Sequence, residues 1–114
     1  MKTQLVKLED LLLPVQGKLL TGSTQVDVAG CYISDLLSDV LARAHPGVLW
    51  VTVQTHHNVI SVAATKDIAA VLFTCDRKPD SSVIAEGEEQ GIALLRTSLT
   101  TFEAAGKLWE AGLR

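Results

Sequence analysis

Two six-residue runs, "VLWVTV" (48–53) and "AAVLFT" (69–74), carry no charged residue at any position. A strand that is apolar on both faces must be covered on both faces, which is the situation inside a parallel sheet clad by helices. The segments around these runs fit that demand. "NVISVAATK" (58–66) lies between them and reads as a short helix with Asn58 as its cap. "DSSVIAEGEEQG" (80–91) reads as a helix stopped by Gly91, followed by "IALLR" (92–96) as the last strand. "TTFEAAGKLWEAGL" closes the chain as a helix, with capping-box spacing between Thr100 and Glu103 and an expected inner stripe of Phe102, Ala105, Leu108, Trp109 and Gly112.

Upstream, "KLEDLLLPV" predicts a short helix ended or bent by Pro14, and "GKLLTG" (17–22) a short strand. "QVDVAGCYI" (25–33) predicts a second strand. "SDLLSDVLARA" follows as a helix capped by Ser34, with Leu36, Leu37, Val40, Leu41 and Ala44 on one face, and His45-Pro46-Gly47 breaks it. Strand and helix therefore alternate with short connections after residue 25. The pattern predicts a three-layer α/β/α sandwich with a mostly parallel (mixed) sheet, the N-terminal helix and short strand adding an edge.

The 114 residues suit one domain spanning 1–114. Net charge is −3 and the basic residues are scattered, which excludes a sequence-independent nucleic-acid surface. Cys31 and Cys75 form no metal or disulfide spacing and read as two buried thiols in a reducing compartment. Glu9 and Asp10 interrupt the N-terminal apolar stretch, so it does not read as a signal peptide, and no run is long enough to span a membrane. A soluble cytoplasmic protein is expected. Trp50 and Trp109 are both expected in the core.

If the strands run parallel, the residues that follow them share one rim: Ser34 and Asp35; then Thr55, His56, His57 and Asn58; then Thr74, Cys75, Asp76 and Arg77, with Lys78; then Thr97, Ser98 and Thr100. Ligands of open α/β sheets bind at that rim, where helix N-termini offer free N–H groups. A metal would need His56 or His57 beside Cys75 and an aspartate, but the spacing matches no metal motif and adjacent histidines rarely aim at one ion. A nucleophilic Cys75 activated by histidine has the right residue types. An anion held by hydroxyls, helix N-termini and Arg77 fits more naturally. No Walker loop and no GxGxxG is present. No catalytic residue, metal or cofactor is assigned.

The stretch "GCYISDLLSDVLARAHPGVLWVTVQTHHNVISVAATKDIAAVLFTCDRKPDSSVIAEGEEQGIALLRTSLTTFEAAGKL" resembles the DRTGG domain from about residue 25 onward. This family occurs alone, fused to CBS pairs, and beside the catalytic part of some phosphotransacetylases, and is similar to the N-terminal domain of HPr kinase/phosphorylase. The family's Gly-Asp-Arg turn falls at Thr55-His56-His57 here, and its Thr-Gly-Gly at Thr74-Cys75-Asp76. "TSLTTFEAA" keeps the family pattern. The resemblance implies the same α/β/α fold, a non-catalytic regulatory or ligand-sensing role, self-association as a homodimer, and a link to redox or hydrogenase metabolism. The expected ligand is a small anionic metabolite or nucleotide. The alternative is a pure interaction module, dimeric or docked on a larger redox enzyme; a small metal-binding or Cys/His enzyme is the third reading.

Overall fold

The computed structural model describes residues 5–114. Its elements in chain order are β1 (Val6–Lys7), α1 (Glu9–Leu12), β2 (Lys18–Thr21), β3 (Asp27–Val28), β4 (Cys31–Ile33), α2 (Leu37–Arg43), β5 (Leu49–Thr52), α3 (Asn58–Thr65), β6 (Ala70–Phe73), α4 (Ser81–Glu89), β7 (Ala93–Arg96) and α5 (Thr101–Glu110). The main sheet has the order β2-β7-β6-β5-β4. β4, β5, β6 and β7 are mutually parallel, and β2 pairs antiparallel with β7. β1 and β3 form a separate two-stranded ribbon.

The uncharged strands behave as their composition requires. Every residue of β5 and β6 is buried. Alternate side chains go to opposite faces. Trp50, Val71, Phe73 and Leu94 pack under α2, α3 and α4, whereas Leu49, Val51, Leu72 and Leu95 pack under α1 and α5. The result is the expected three-layer sandwich with a core on each side of one mixed sheet. Among the described residues no helix is long and apolar enough to cross a membrane.

Several local expectations change. Residues 25–33 are two strands, since the chain leaves the ribbon at Ala29-Gly30 and joins the main sheet as β4. Alternation reports which faces are buried, not which strand is the partner. α2 begins after Leu36, and Ser34 acts one turn earlier, its hydroxyl accepting from the Leu36 N–H at 3.2 Å. Val40 and Ala44 are buried, but Leu36 and Leu41 are exposed. On α5 the buried residues are Ala104 and Leu108, while Phe102 and Trp109 are 88% and 60% exposed. The sequence supports two inner stripes one residue apart, and the sheet takes the one whose small Ala104 allows close approach. Cys75 is exposed and Cys31 half-buried, so neither matches the expected buried thiol.

The two helix ends read from spacing do form. Thr100 Oγ1 accepts from the Glu103 N–H at 3.2 Å and the Glu103 carboxylate accepts from the Thr100 N–H at 2.9 Å. Those bonds, the backbone one foremost, hold the Glu103 carboxyl below its ordinary pKa. Gly91, at φ +72°, ends α4.

Candidate functional site

Because β4 to β7 are parallel, the four loops at their carboxyl ends leave the same edge of the sheet. The first two loops fix the rim rather than open it. Asp35 Oδ1 accepts from Thr52 Oγ1 and from the Val53 N–H, each at 2.9 Å. The Ser34 carbonyl accepts from Trp50 Nε1 at 2.8 Å. Both residues thus tie the end of β4 to β5.

His56, His57 and Asn58 are exposed and Thr55 is half-buried. Asn58 is the first residue of α3 and does not cap it. His56 does that work, its Nδ1 accepting from the Asn58 N–H at 3.1 Å. The two imidazoles meet edge to face with centroids 6.4 Å apart. His57 turns toward α4: Nδ1 lies 3.2 Å from Glu86 Oε2 and Nε2 lies 3.3 Å from Ser82 Oγ. The order is that of a nucleophile, base and acid. Yet all three side chains stand in water to a third or more, and Ser82 and Glu86 are one turn apart on a single helix. The arrangement clamps the β5–α3 loop to α4.

The β6 and β7 loops are different. After β6 the chain passes to α4 on one face, and after β7 it passes to α5 on the other. That divergence is where an open α/β sheet forms its ligand crevice. Here the backbone of Cys75-Asp76 fills part of it. The Cys75 N–H donates to the Leu99 carbonyl at 2.8 Å and the Asp76 N–H to the Thr97 carbonyl at 2.9 Å. Both residues are left-handed, with φ of 57° and 59°. The resemblance aligns these two positions with the family's glycine pair, and the backbone conformation supplies the reason for glycine there. A non-glycine residue in this region costs about 1–2 kcal/mol. Cys75→Gly is therefore expected to raise the urea midpoint, corresponding to about 1 kcal/mol after glycine's own entropic cost. A lowered midpoint would show that the Cys75 side chain holds the turn.

Beside this turn, the buried Thr74 shares a 2.7 Å hydroxyl contact with Thr101, and Thr97 Oγ1 donates to the Val15 carbonyl at 2.6 Å. Ser98 is exposed, and Thr100 is engaged in its cap. Asp76 pairs with Arg96 at 2.8 Å. Arg96 Nε is buried and has no hydrogen-bond partner. Arg77 and Lys78 are exposed and make no ion pair among the described residues. Arg96, Thr52, Ser82 and Glu86 were not singled out from the sequence. Arg96 had a signal: a cation closing the apolar run "IALLR" must place its head at the strand's end. Thr52, inside an apolar run, had none.

No three His, Cys, Asp or Glu side chains among the described residues come together to hold a metal ion. The histidines bond to α4 and to their own loop, not to Cys75.

The comparisons with known proteins agree with this architecture. A solved structure of the CBS and DRTGG domains of the regulatory region of Clostridium perfringens pyrophosphatase, complexed with its activator diadenosine tetraphosphate, superposes with a TM-score of 0.77. Identity is 9%, and the match covers 92% of this chain and 46% of that one. The chain thus spans less than half the length of that neighbour, and the likeness establishes the fold. No curated protein sequence matches. The family model of the DRTGG domain matches residues 10–111, reaching α1 and β2 as well as the region from residue 25 on which the sequence resemblance rests. With nearly every element of the sandwich inside that match, the chain belongs to the DRTGG domain family.

Proposed function

We propose that this regulatory domain is a non-catalytic cytoplasmic sensor that takes a small anionic metabolite or nucleotide at the carboxyl rim of its sheet. The observation that carries this reading is the cationic group where the β6 and β7 loops diverge. Arg77 and Lys78 are exposed without ion pairs among the described residues, next to the Asp76–Arg96 pair. Guanidinium groups suit phosphate oxygens because their N–H donors form a planar fork. His56, His57 and the hydroxyls of Thr55 and Ser98 border the same edge and add donors. The pyrophosphatase region of like fold is held with a dinucleotide polyphosphate, which favours a phosphorylated ligand here.

Calorimetric titration with AMP, ATP, diadenosine tetraphosphate and inorganic phosphate tests the reading. One of these is expected to bind, and Arg77→Ala is expected to weaken it by about tenfold or more, since a charge-assisted bond contributes about 1.5–3 kcal/mol. No binding by any of the four at millimolar concentration, or unchanged affinity in Arg77→Ala, sinks it. A second reading is an interaction module, dimeric or docked on a larger redox enzyme; the exposed Phe102 and Trp109 favour it.

A further inference from the structure

β2 runs antiparallel to β7, so the first residue of β2 lies beside the last residue of β7, at the carboxyl rim. Those residues are Lys18 and Arg96, directly opposite one another in the register. Opposed residues of an antiparallel pair put their side chains on the same face of the sheet. Arg96 also stands opposite Phe73 of β6, whose ring belongs to the core under α2, α3 and α4. Both cations therefore rise on the α4 face, side by side at the end of the sheet. Like charges placed directly opposite in a ladder repel. Here the repulsion is relieved from one side only. Asp76 Oδ1 lies 2.8 Å from Arg96 Nη2, whereas Lys18 is exposed and makes no ion pair among the described residues.

The carboxylate reaches Arg96 from a turn that does not depend on it. Across Thr74 to Arg77 the Arg77 N–H donates to the Thr74 carbonyl at 3.1 Å. The two central residues, Cys75 and Asp76, both have positive φ, the mark of a type I′ turn, where aspartate, asparagine and glycine are favoured. Their own N–H groups are bonded to the carbonyls of Leu99 and Thr97. Three backbone bonds thus hold the turn, and the Asp76 side chain is free for another task. It is 64% exposed, against 28% for Arg96. It meets the guanidinium through one nitrogen, whereas a well-matched anion takes two. An exposed contact of this kind adds little to stability and gives way readily.

We propose that Lys18 and Arg96 together form the seat for a terminal phosphate of the rim ligand, and that Asp76 is its resident counter-ion, which the phosphate displaces. This deepens the rim reading and rests on it. A terminal phosphate is close to doubly charged at neutral pH and carries three acceptor oxygens. It meets both cations at once, which the single Asp76 contact does not. Its arrival turns the Asp76 carboxylate outward into water, where most of that side chain already lies. The backbone bonds of the turn persist, so Arg77 and Lys78, which follow Asp76, keep their places beside the seat. The counter-ion also selects. A monocarboxylate would only replace one singly charged carboxylate by another, whereas a terminal phosphate brings extra charge for Lys18. The seat therefore favours phosphomonoesters and nucleotides with a free terminal phosphate over simple carboxylic acids.

Calorimetric titration of the full chain and its variants with AMP, ATP and acetate tests this. AMP or ATP is expected to bind, and acetate is not. Asp76→Asn removes the charge but keeps a residue suited to positive φ, and it is expected to tighten nucleotide binding by about threefold or more. Asp80→Asn takes an equal charge from the same loop without an ion pair to Arg96, and should tighten binding far less. Lys18→Gln and Arg96→Gln are each expected to weaken binding by about tenfold, and in Arg96→Gln the gain from Asp76→Asn disappears. Far-UV circular dichroism confirms folding; should Arg96→Gln not fold, Lys18→Gln at the exposed strand end carries the same expectation. Unchanged affinity in Lys18→Gln, equal gains from Asp76→Asn and Asp80→Asn, or a loss in Asp76→Asn with a lowered urea midpoint overturns the seat and leaves the rim reading on Arg77. Acetate binding as tightly as the nucleotides overturns it too. If AMP and ATP fail but diadenosine tetraphosphate, which has no terminal phosphate, binds, the seat falls and the rim reading stands. Binding by none of them ends both.

Discussion

Trp50→Ala is expected to lower stability by about 3–5 kcal/mol, the largest loss for any single side chain of this domain. Trp50 is the largest of the fully buried side chains and sits at the centre of β5, between β4 and β6. It packs against the face covered by α2, α3 and α4. Truncation removes the ring from a close-packed layer, and strands held on both sides cannot collapse into the space. A further loss comes from the indole N–H, which donates to the Ser34 carbonyl at 2.8 Å and so anchors the β4–α2 turn. A domain of this size has roughly 5–15 kcal/mol in hand, so the variant should fold with a melting temperature lower by on the order of 15 °C. Thermal unfolding followed by circular dichroism measures it. A shift of only a few degrees would mean that the ring is not enclosed by that layer. Trp109→Ala makes the internal control: that ring is 60% exposed, with the Arg114 guanidinium over it at 4.7 Å, and its loss should hardly move the stability of the fold.

Gly22→Ala is expected to cost about 3 kcal/mol or more, from backbone strain and overpacking together. Gly22 follows β2 with φ +95°, and a Cβ there would lie 2.5 Å from Ala93 Cα and 3.0 Å from Ala93 N. Those are backbone atoms of β7, fixed by pairing with both β2 and β6, so they cannot yield as a side chain would. Gly91 separates the two contributions. It too has positive φ, +72°, but nothing lies within 4 Å of its would-be Cβ. Gly91→Ala should therefore cost only the conformational part, about 1 kcal/mol. Equilibrium urea unfolding of both variants compares them directly. Equal midpoints would show that β7 is not in close approach at Gly22.

The two substitutions mark how differently sequence and tertiary structure share in this protein. The layer order was readable because composition limits it. Strands without a charge at any position can exist only where helices cover both faces, and the chain supplies helical periods between them. The capping box at Thr100-Glu103 and the stop at Gly91 were readable because each is settled by residues within one turn. The rim followed in turn, since parallel strands must end on the same edge, and that put the loops carrying His56, His57, Cys75 and Arg77 on one edge before any coordinates.

What lay beyond the sequence was phase and partnership. Helix α5 offered two inner stripes that share Leu108, and only contact with the sheet selected Ala104 and left Phe102 and Trp109 outside. His57 could have faced Cys75, but Glu86 and Ser82, far along the chain, hold it toward α4. Asp35 looked like a ligand-facing acid, and it ties Thr52 to the end of β4. Arg96 and Asp76 meet across neighbouring strands. Local chemistry decides which elements form, because its interactions reach only a few residues. Which side chains meet at the rim depends on the stagger and packing of elements distant in the chain, and that is decided only when the sheet assembles.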